Sequence, residues 1–233
     1  MTRPRPLRAA TPERAKKAKP RSLMREVAYE RFKAELFKRN LAPGQFVSQG
    51  ELCELLDVPL GPTREALKRL EAENLVRLIP QRGIQITDIG VTLIHEAFEF
   101  RTVLELAAVR RFARDADAAT LARLEADTTE ILRRLDGGSN EDPKLIDAAL
   151  QVDWGMHYMM IDAIGNRILA TAHRQNFDKI KMIRLHGRSP RYLPLAMEEH
   201  LKVIVALKQR DPDLAAAALG EHLASAERRA LGL

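Results

Sequence analysis

Apolar positions first fall into a helical rhythm at residue 22. Ser22 can cap a helix in which Met24, Val27, Ala28, Phe32 and Leu36 share one face, and the spacing runs to about Arg39. Pro43-Gly44 then marks a turn. Ser48-Gln49-Gly50-Glu51 reads as a capping box, whose hydroxyl and carboxylate reciprocally satisfy backbone amides. It opens a short helix carrying Leu52, Leu55 and Leu56. Asp57-Val58-Pro59-Leu60-Gly61 stops that helix, and Pro62 suits the first position of the next, where its missing N–H leaves nothing unpaired. The third helix gathers Ala66, Leu67, Leu70 and Leu75 on one side and turns Arg64, Lys68 and Arg69 outward. Two β-prone runs, 75–79 and 84–87, are joined by Pro80-Gln81-Arg82-Gly83. Helix, helix, tight turn, helix and hairpin within residues 22–89 predict a winged helix-turn-helix, in which two helices brace a third for a major groove.

From residue 90 to 233 every segment is helical in pattern, with expected spans 91–115, 117–136, 143–164, 166–187, 194–210 and 212–231. Asp142-Pro143 and Asp211-Pro212 have the form of an N-cap followed by Pro at the first helical position. Gly137-Gly138 ends one helix, and Gly165-Asn166 marks a break before another. The fold class is therefore mainly α, a winged domain followed by an all-α six-helix bundle.

Composition narrows this picture in two places. Aromatics are only 5% of the 233 residues, so the cores rest on Leu, Ile, Val, Met and Ala. A single cysteine, Cys53, excludes a disulfide framework and a cysteine zinc site, which suits a cytoplasmic setting. No apolar run reaches the length of a membrane span. The net charge of +6 is concentrated at the start, where residues 1–22 carry eight Lys/Arg against one Glu. Residues 1–21 read as a flexible basic arm, able to add nonspecific phosphate affinity or simply to stay solvated.

Polar residues interrupt several stripes that should be apolar. In the helix from 143 the stripe is Ile146, Leu150, Asp153, His157, Met160/Ile161 and Ile164, so a carboxylate and an imidazole point inward at i and i+4. His200 breaks the stripe of the helix from 194, and His222 that of the last helix. In the first helix of the bundle Arg101 and Glu105 lie between Phe98 and Ala108. Buried ionisable groups are costly unless paired or bound to a metal. Any one of these residues alone reads as a hydrogen-bonded core residue. Together, Asp153, His157, His200 and His222 form a donor set suited to Zn²⁺, Ni²⁺ or Mn²⁺. His95, His173 and His186 have weaker claims and are expected to be structural or surface residues.

The same residues resemble a known family. Leu41-Ala42-Pro43-Gly44, the segment Pro62–Leu67, the segment Leu70–Val76 and Arg82-Gly83 resemble the GntR family of repressors. Asp153–His157, Glu199-His200, Glu221-His222, Gly165-Asn166 and the Arg101/Glu105 pair resemble its FadR-type (FCD) effector domain, with a helix count closer to the VanR-like branch. The resemblance implies that Arg64 reads a guanine, as bidentate arginines commonly do, and that Arg82-Gly83 touches the minor groove or backbone. Pro62, Thr63, Lys68 and Ser48 complete the expected DNA-facing set. It further implies a homodimer on a pseudo-palindromic operator, a metal held by the Asp and three His, and a small carboxylate effector near Arg101, Glu105 and Asn166. One departure stands out: Pro59 and Leu60 occupy places where the family usually has serine and arginine, so the operator is expected to differ.

Two further readings remain open. One Asp and three His can activate water in a metal-dependent hydrolase, with Glu105 the one candidate base. A ligand-independent architectural DNA binder using the basic arm is the other.

Overall fold

A computed structural model describes residues 21–137, 142–186 and 190–233. The expected basic arm, apart from Arg21, and Gly138 of the Gly137-Gly138 pair lie outside the described residues. Three helices and a small sheet come first: α1 (Arg21–Phe37), β1 (Phe46–Val47), α2 (Gln49–Leu56), α3 (Leu60–Ala72), β2 (Val76–Ile79) and β3 (Gly83–Ile86). The strands are ordered β1-β3-β2 and antiparallel, with Val76 opposite Ile86 and Phe46 opposite Gln85. β1 was not anticipated, because two residues are too few to show an alternating pattern.

The capping box at α2 is as expected. Glu51 N donates to Ser48 Oγ at 3.1 Å and Ser48 N donates to Glu51 Oε2 at 2.7 Å. Two expected helix starts shift. Ser22 lies inside α1, which already includes Arg21. α3 begins at Leu60 with Pro59 as its N-cap, so Pro62 sits third rather than first. Proline is tolerated there for the same reason, since the first four amides of a helix have no intrahelical acceptor.

The wing is fixed by one glycine. Gly83 has φ +94°, and a Cβ there would stand 2.8 Å from the Val47 carbonyl oxygen of β1. Only glycine allows both the backbone conformation and the close approach. Phe32, Leu36, Leu41, Leu52, Leu67, Leu70, Leu75 and Ile84 form the core beneath.

Six helices follow among the described residues: α4 (Val91–Asp115), α5 (Ala118–Asp136), α6 (Pro143–Asp162), α7 (Arg167–His186), α8 (Leu193–Lys208) and α9 (Pro212–Leu231), with a 3-10 turn at Pro190–Tyr192. Asp117, Asp142 and Asp211 cap α5, α6 and α9, and proline follows the last two. α4 packs on α9 and α7, and α8 packs between α9 and α5.

α7 belongs to both halves of the molecule. Its Met182 is fully buried within the winged-domain core. Asp178 pairs with Lys33 of α1 at 2.7 Å, and His186 Nε2 is 2.9 Å from the Leu36 carbonyl oxygen. Gln175 Nε2 donates to Glu73 Oε1, just past α3, at 3.2 Å.

Candidate functional site

The polar stripes converge. α6 brings Asp153 and His157 one turn apart, α8 brings His200 and α9 brings His222, and all four are fully buried. One ligand atom from each lies within 4.8 Å of the others. His200 Nε2 is 3.2 Å from His222 Nε2 and 3.5 Å from Asp153 Oδ1.

Outer partners set which atoms face the cluster. His157 Nδ1 lies 2.7 Å from Glu105 Oε2, and His222 Nδ1 lies 2.8 Å from Glu199 Oε2. An ionised carboxylate only accepts, so both rings carry their proton on Nδ1 and turn the Nε2 lone pair toward the cluster. Arg184 donates to Asp153 Oδ2, while Asp153 Oδ1 and His157 Nε2 have no hydrogen-bond partner among the described residues. Asp153 Oδ1 and three imidazole nitrogens fit a tetrahedral or octahedral divalent cation, and the unpartnered atoms are those a cation would satisfy.

Protonation favours the same use. Burial pushes His157 down to about 4, with Arg101 adding to the effect. Burial, followed by neighbouring His222, holds His200 well below the usual imidazole range. Burial also lowers His222, partly offset by its bond to Glu199. Neutral imidazoles are the metal-binding form. For Asp153, burial acts upward, but Arg184 and then His200 outweigh it and keep the carboxyl far below its ordinary range. Glu199 is brought down to about 2, where bonds from His222 and Arg229 outweigh burial.

Glu105 joins this cluster to a second group. Its Oε1 accepts from Arg101 Nε at 2.7 Å and from His173 Nε2 at 2.8 Å, and its Oε2 faces His157. Burial would raise its pKa, yet Arg101 and His157 outweigh that and hold it well below the usual range. Arg101 is itself fully buried, and its Nη1 and Nη2 have no acceptor among the described residues. The guanidinium carbon lies 5.1 Å from the Phe177 ring centre.

Several expectations need correction. His173, expected to be structural or at the surface, is a buried partner of Glu105. Arg184, not singled out from the sequence, and Glu199, named there only as the neighbour of His200, orient Asp153 and His222. A signal existed for two of them: His173, Phe177, Ile180 and Arg184 follow one helical stripe of α7, the same pattern that exposed Asp153 and His157 on α6. Asn166 is exposed and uses its Oδ1 to cap α7, accepting from Ile168 N at 2.9 Å and Leu169 N at 3.2 Å, so it is no part of this centre. His95 is a surface residue paired with Glu227, as expected.

On the winged domain, Arg64 is exposed on α3, its Nε held by Gln49 Oε1 at 2.7 Å. Lys68 is exposed beside Glu65, and Arg82 is exposed on the turn between β2 and β3. Thr63 is not available to DNA. It is fully buried, and its hydroxyl lies 3.1 Å from the Pro59 carbonyl and 3.3 Å from that of Val58. The hydroxyl of exposed Ser48 is committed to the capping box, and Pro62 is half-buried in the first turn of α3.

Comparison with known proteins agrees with both halves. Residues 24–86 match the bacterial regulatory proteins of the gntR family, and residues 96–225 match the FCD domain. The regulator BphR of Paraburkholderia xenovorans is 28% identical over 88% of this chain and 84% of its own. The Escherichia coli transcriptional repressor RspR is 25% identical over 78% of each chain. A solved GntR regulator from Rhodococcus sp. RHA1 shares the fold, with a TM-score of 0.72 and 20% identity over 91% of this chain and 98% of that one. These relatives are transcriptional regulators, so the hydrolase alternative finds no support among them. With a winged domain of the one kind and a helical domain of the other, the chain belongs to the gntR family of transcriptional regulators that carry an FCD effector domain.

Proposed function

We propose that this regulator is a cytoplasmic homodimeric repressor released from, or recruited to, its operator by a small carboxylate bound beside a divalent metal ion. Two units divide the work: residues 22–89 hold the DNA and residues 90–233 hold the effector. The observation that carries the reading is the buried set Asp153, His157, His200 and His222 next to the two unpartnered guanidinium nitrogens of Arg101. Zn²⁺ suits the donors best, with Ni²⁺ or Mn²⁺ as alternatives, and would supply a Lewis-acidic site for a carboxylate oxygen. Arg101, with its planar fork held by Glu105, is the complementary anchor for the same carboxylate.

On the DNA side, Arg64 and Lys68 enter the major groove with α3, and Arg82 meets the backbone or minor groove at the wing. Gly83 contributes by shaping the wing rather than by contact. α7 offers the route between sites, since His173 and Arg184 touch the effector centre while Asp178, Met182 and His186 hold α1 and its core. An effector that fits one placement of α7 better than another shifts the geometry of the two reading helices. The repressor role draws on the Escherichia coli relative, whose name states it.

The test combines elemental analysis of the purified full chain with thermal shifts against a carboxylate library, with and without chelator. Bound metal near one equivalent per chain and chelator-sensitive ligand shifts are expected. A metal-free protein whose stability and ligand response ignore chelator overturns the reading. Footprinting on a selected operator should give one protected palindrome, whereas indiscriminate coverage favours an architectural binder.

A further inference from the structure

Lys181 of α7 is a half-buried cation with no anion to meet. Among the described residues its Nζ has neither a hydrogen-bond nor an ion-pair partner. Burial pushes the amine below its ordinary range, with the field of Asp178 acting against that. What the ammonium meets instead is aromatic. Nζ lies 5.0 Å from the Trp154 ring centre, 5.4 Å from that of Tyr158 and 5.5 Å from that of Phe37. All three distances are within the reach at which the negative face of a ring attracts a cation.

The rings come from both halves of the molecule. Phe37 is the last residue of α1 and packs against the core of the winged domain. Trp154 and Tyr158 lie one turn apart on α6, each directly after a member of the buried set, Asp153 and His157. Successive helical residues are turned by about 100°, so α6 sends one stripe to the centre and the adjoining stripe toward α7. Both rings lie against Phe177, one turn before Lys181 on α7. A shift of α6 that suits Asp153 and His157 therefore moves the rings that hold the ammonium. The Lys33–Asp178 pair and Met182 tie α1 to α7. Lys181 brings α6 into the same junction.

We propose that Lys181 is a positioning residue for DNA reading: its ammonium, held among Phe37, Trp154 and Tyr158, makes the placement of α1 follow that of α6. This rests on the reading that the centre on α6 is the sensing site. α1 packs on α3, so a displaced α1 carries the reading helix with it. An ammonium–ring contact made in one arrangement and lost in another biases the equilibrium between them by about five- to thirtyfold.

Trp154 is the one tryptophan of the chain and supplies the readout. A nearby ammonium quenches an excited indole, so emission follows the separation of Lys181 from Trp154. The full chain is titrated with an operator selected from random sequence, and anisotropy of the labelled operator reports binding independently. Emission of the parent should change saturably with operator. Phe37→Leu leaves Lys181 facing Trp154 but removes the ring of the winged domain. It should bind operator without the emission change, while Zn²⁺ added to the chelator-treated chain still alters emission because Trp154 adjoins Asp153. Lys181→Met keeps the unbranched stem and removes the charge. It should emit more brightly and shift operator affinity by about five- to thirtyfold, and adding Phe37→Leu to it should shift affinity no further. An operator response in the Leu variant equal to the parent's, additive shifts in the double variant, an unshifted Met variant or an unresponsive parent overturns the role of Lys181. A parent that answers operator but not Zn²⁺ counts against the metal reading of the centre and leaves the junction standing.

Discussion

Replacing Glu105 by Gln changes one oxygen for an amide nitrogen and should disable the centre in a specific way. The carboxylate accepts three hydrogen bonds, two on Oε1 from Arg101 and His173 and one on Oε2 from His157. A glutamine has one acceptor oxygen and one donor group. If its oxygen faces Arg101 and His173, its N–H₂ opposes His157 Nδ1–H, and His157 can recover only by moving its proton to Nε2. That nitrogen is the one aimed at Asp153, His200 and His222, so the metal lone pair is lost. If the amide is reversed, its N–H₂ opposes a guanidinium. Either orientation also removes the charge that balances the fully buried Arg101, a loss worth about 3–5 kcal/mol for a buried pair. For a chain of this size that is roughly 6–20 °C in melting temperature. Loss of a metal-orienting carboxylate further weakens metal binding by about 10–100-fold. Urea denaturation with metal and with chelator measures the first term, and competition with a chelating dye the second. A Glu105→Gln protein that keeps the parent's metal affinity and unfolding midpoint would refute the reasoning.

Four other outcomes follow from the same structure. In the metal-free protein, burial lowers His157 to about 4, and also lowers His200 and His222, against an ordinary value of 6.5. The unfolded chain therefore takes up protons that the folded chain refuses, so stability is full above about pH 6.5 and falls as pH drops below it. Denaturation midpoints across pH 4.5–8 should show this loss, and a flat profile would contradict it. Gly83→Ala forces a Cβ against the Val47 carbonyl at positive φ, costing about 1–3 kcal/mol and loosening the wing. Operator affinity and a melting scan of the full chain read both effects. Thr63→Val removes a buried hydroxyl bond worth about 0.5–1.5 kcal/mol but leaves operator sequence preference intact. Arg64→Ala should do the reverse, losing about 1–3 kcal/mol of base discrimination in binding assays.

Capping chemistry and helical stripes were the most readable parts of the chain. Ser48 with Glu51, Asp142 with Pro143 and Asp211 with Pro212 act through neighbours in sequence, so local pattern was enough to place their helices. The inward residues Asp153, His157, His200 and His222 were legible because a polar residue on an apolar stripe is conspicuous whatever it meets. What each meets was not legible: Arg184 against Asp153 and Glu199 against His222 depend on how α7, α8 and α9 pack. Thr63 shows the converse limit. Its place beside Arg64 suggested exposure, but a 100° step around α3 carries it from the outer face into the core. Asn166 likewise carried a family resemblance whose physical basis is a helix cap.

Met182 sets a condition on any attempt to build hybrid regulators from this chain. Its side chain is contributed by the sensing half but completes the interior of the reading half, beside Lys33 with Asp178 and Leu36 with His186. A reading module spliced out after residue 89 would leave its own interior open where α7 had filled it. Exchange of modules between relatives should therefore succeed only when the α7 residues that face α1 travel with the winged domain, making the seam for recombination run across the fold rather than along the chain.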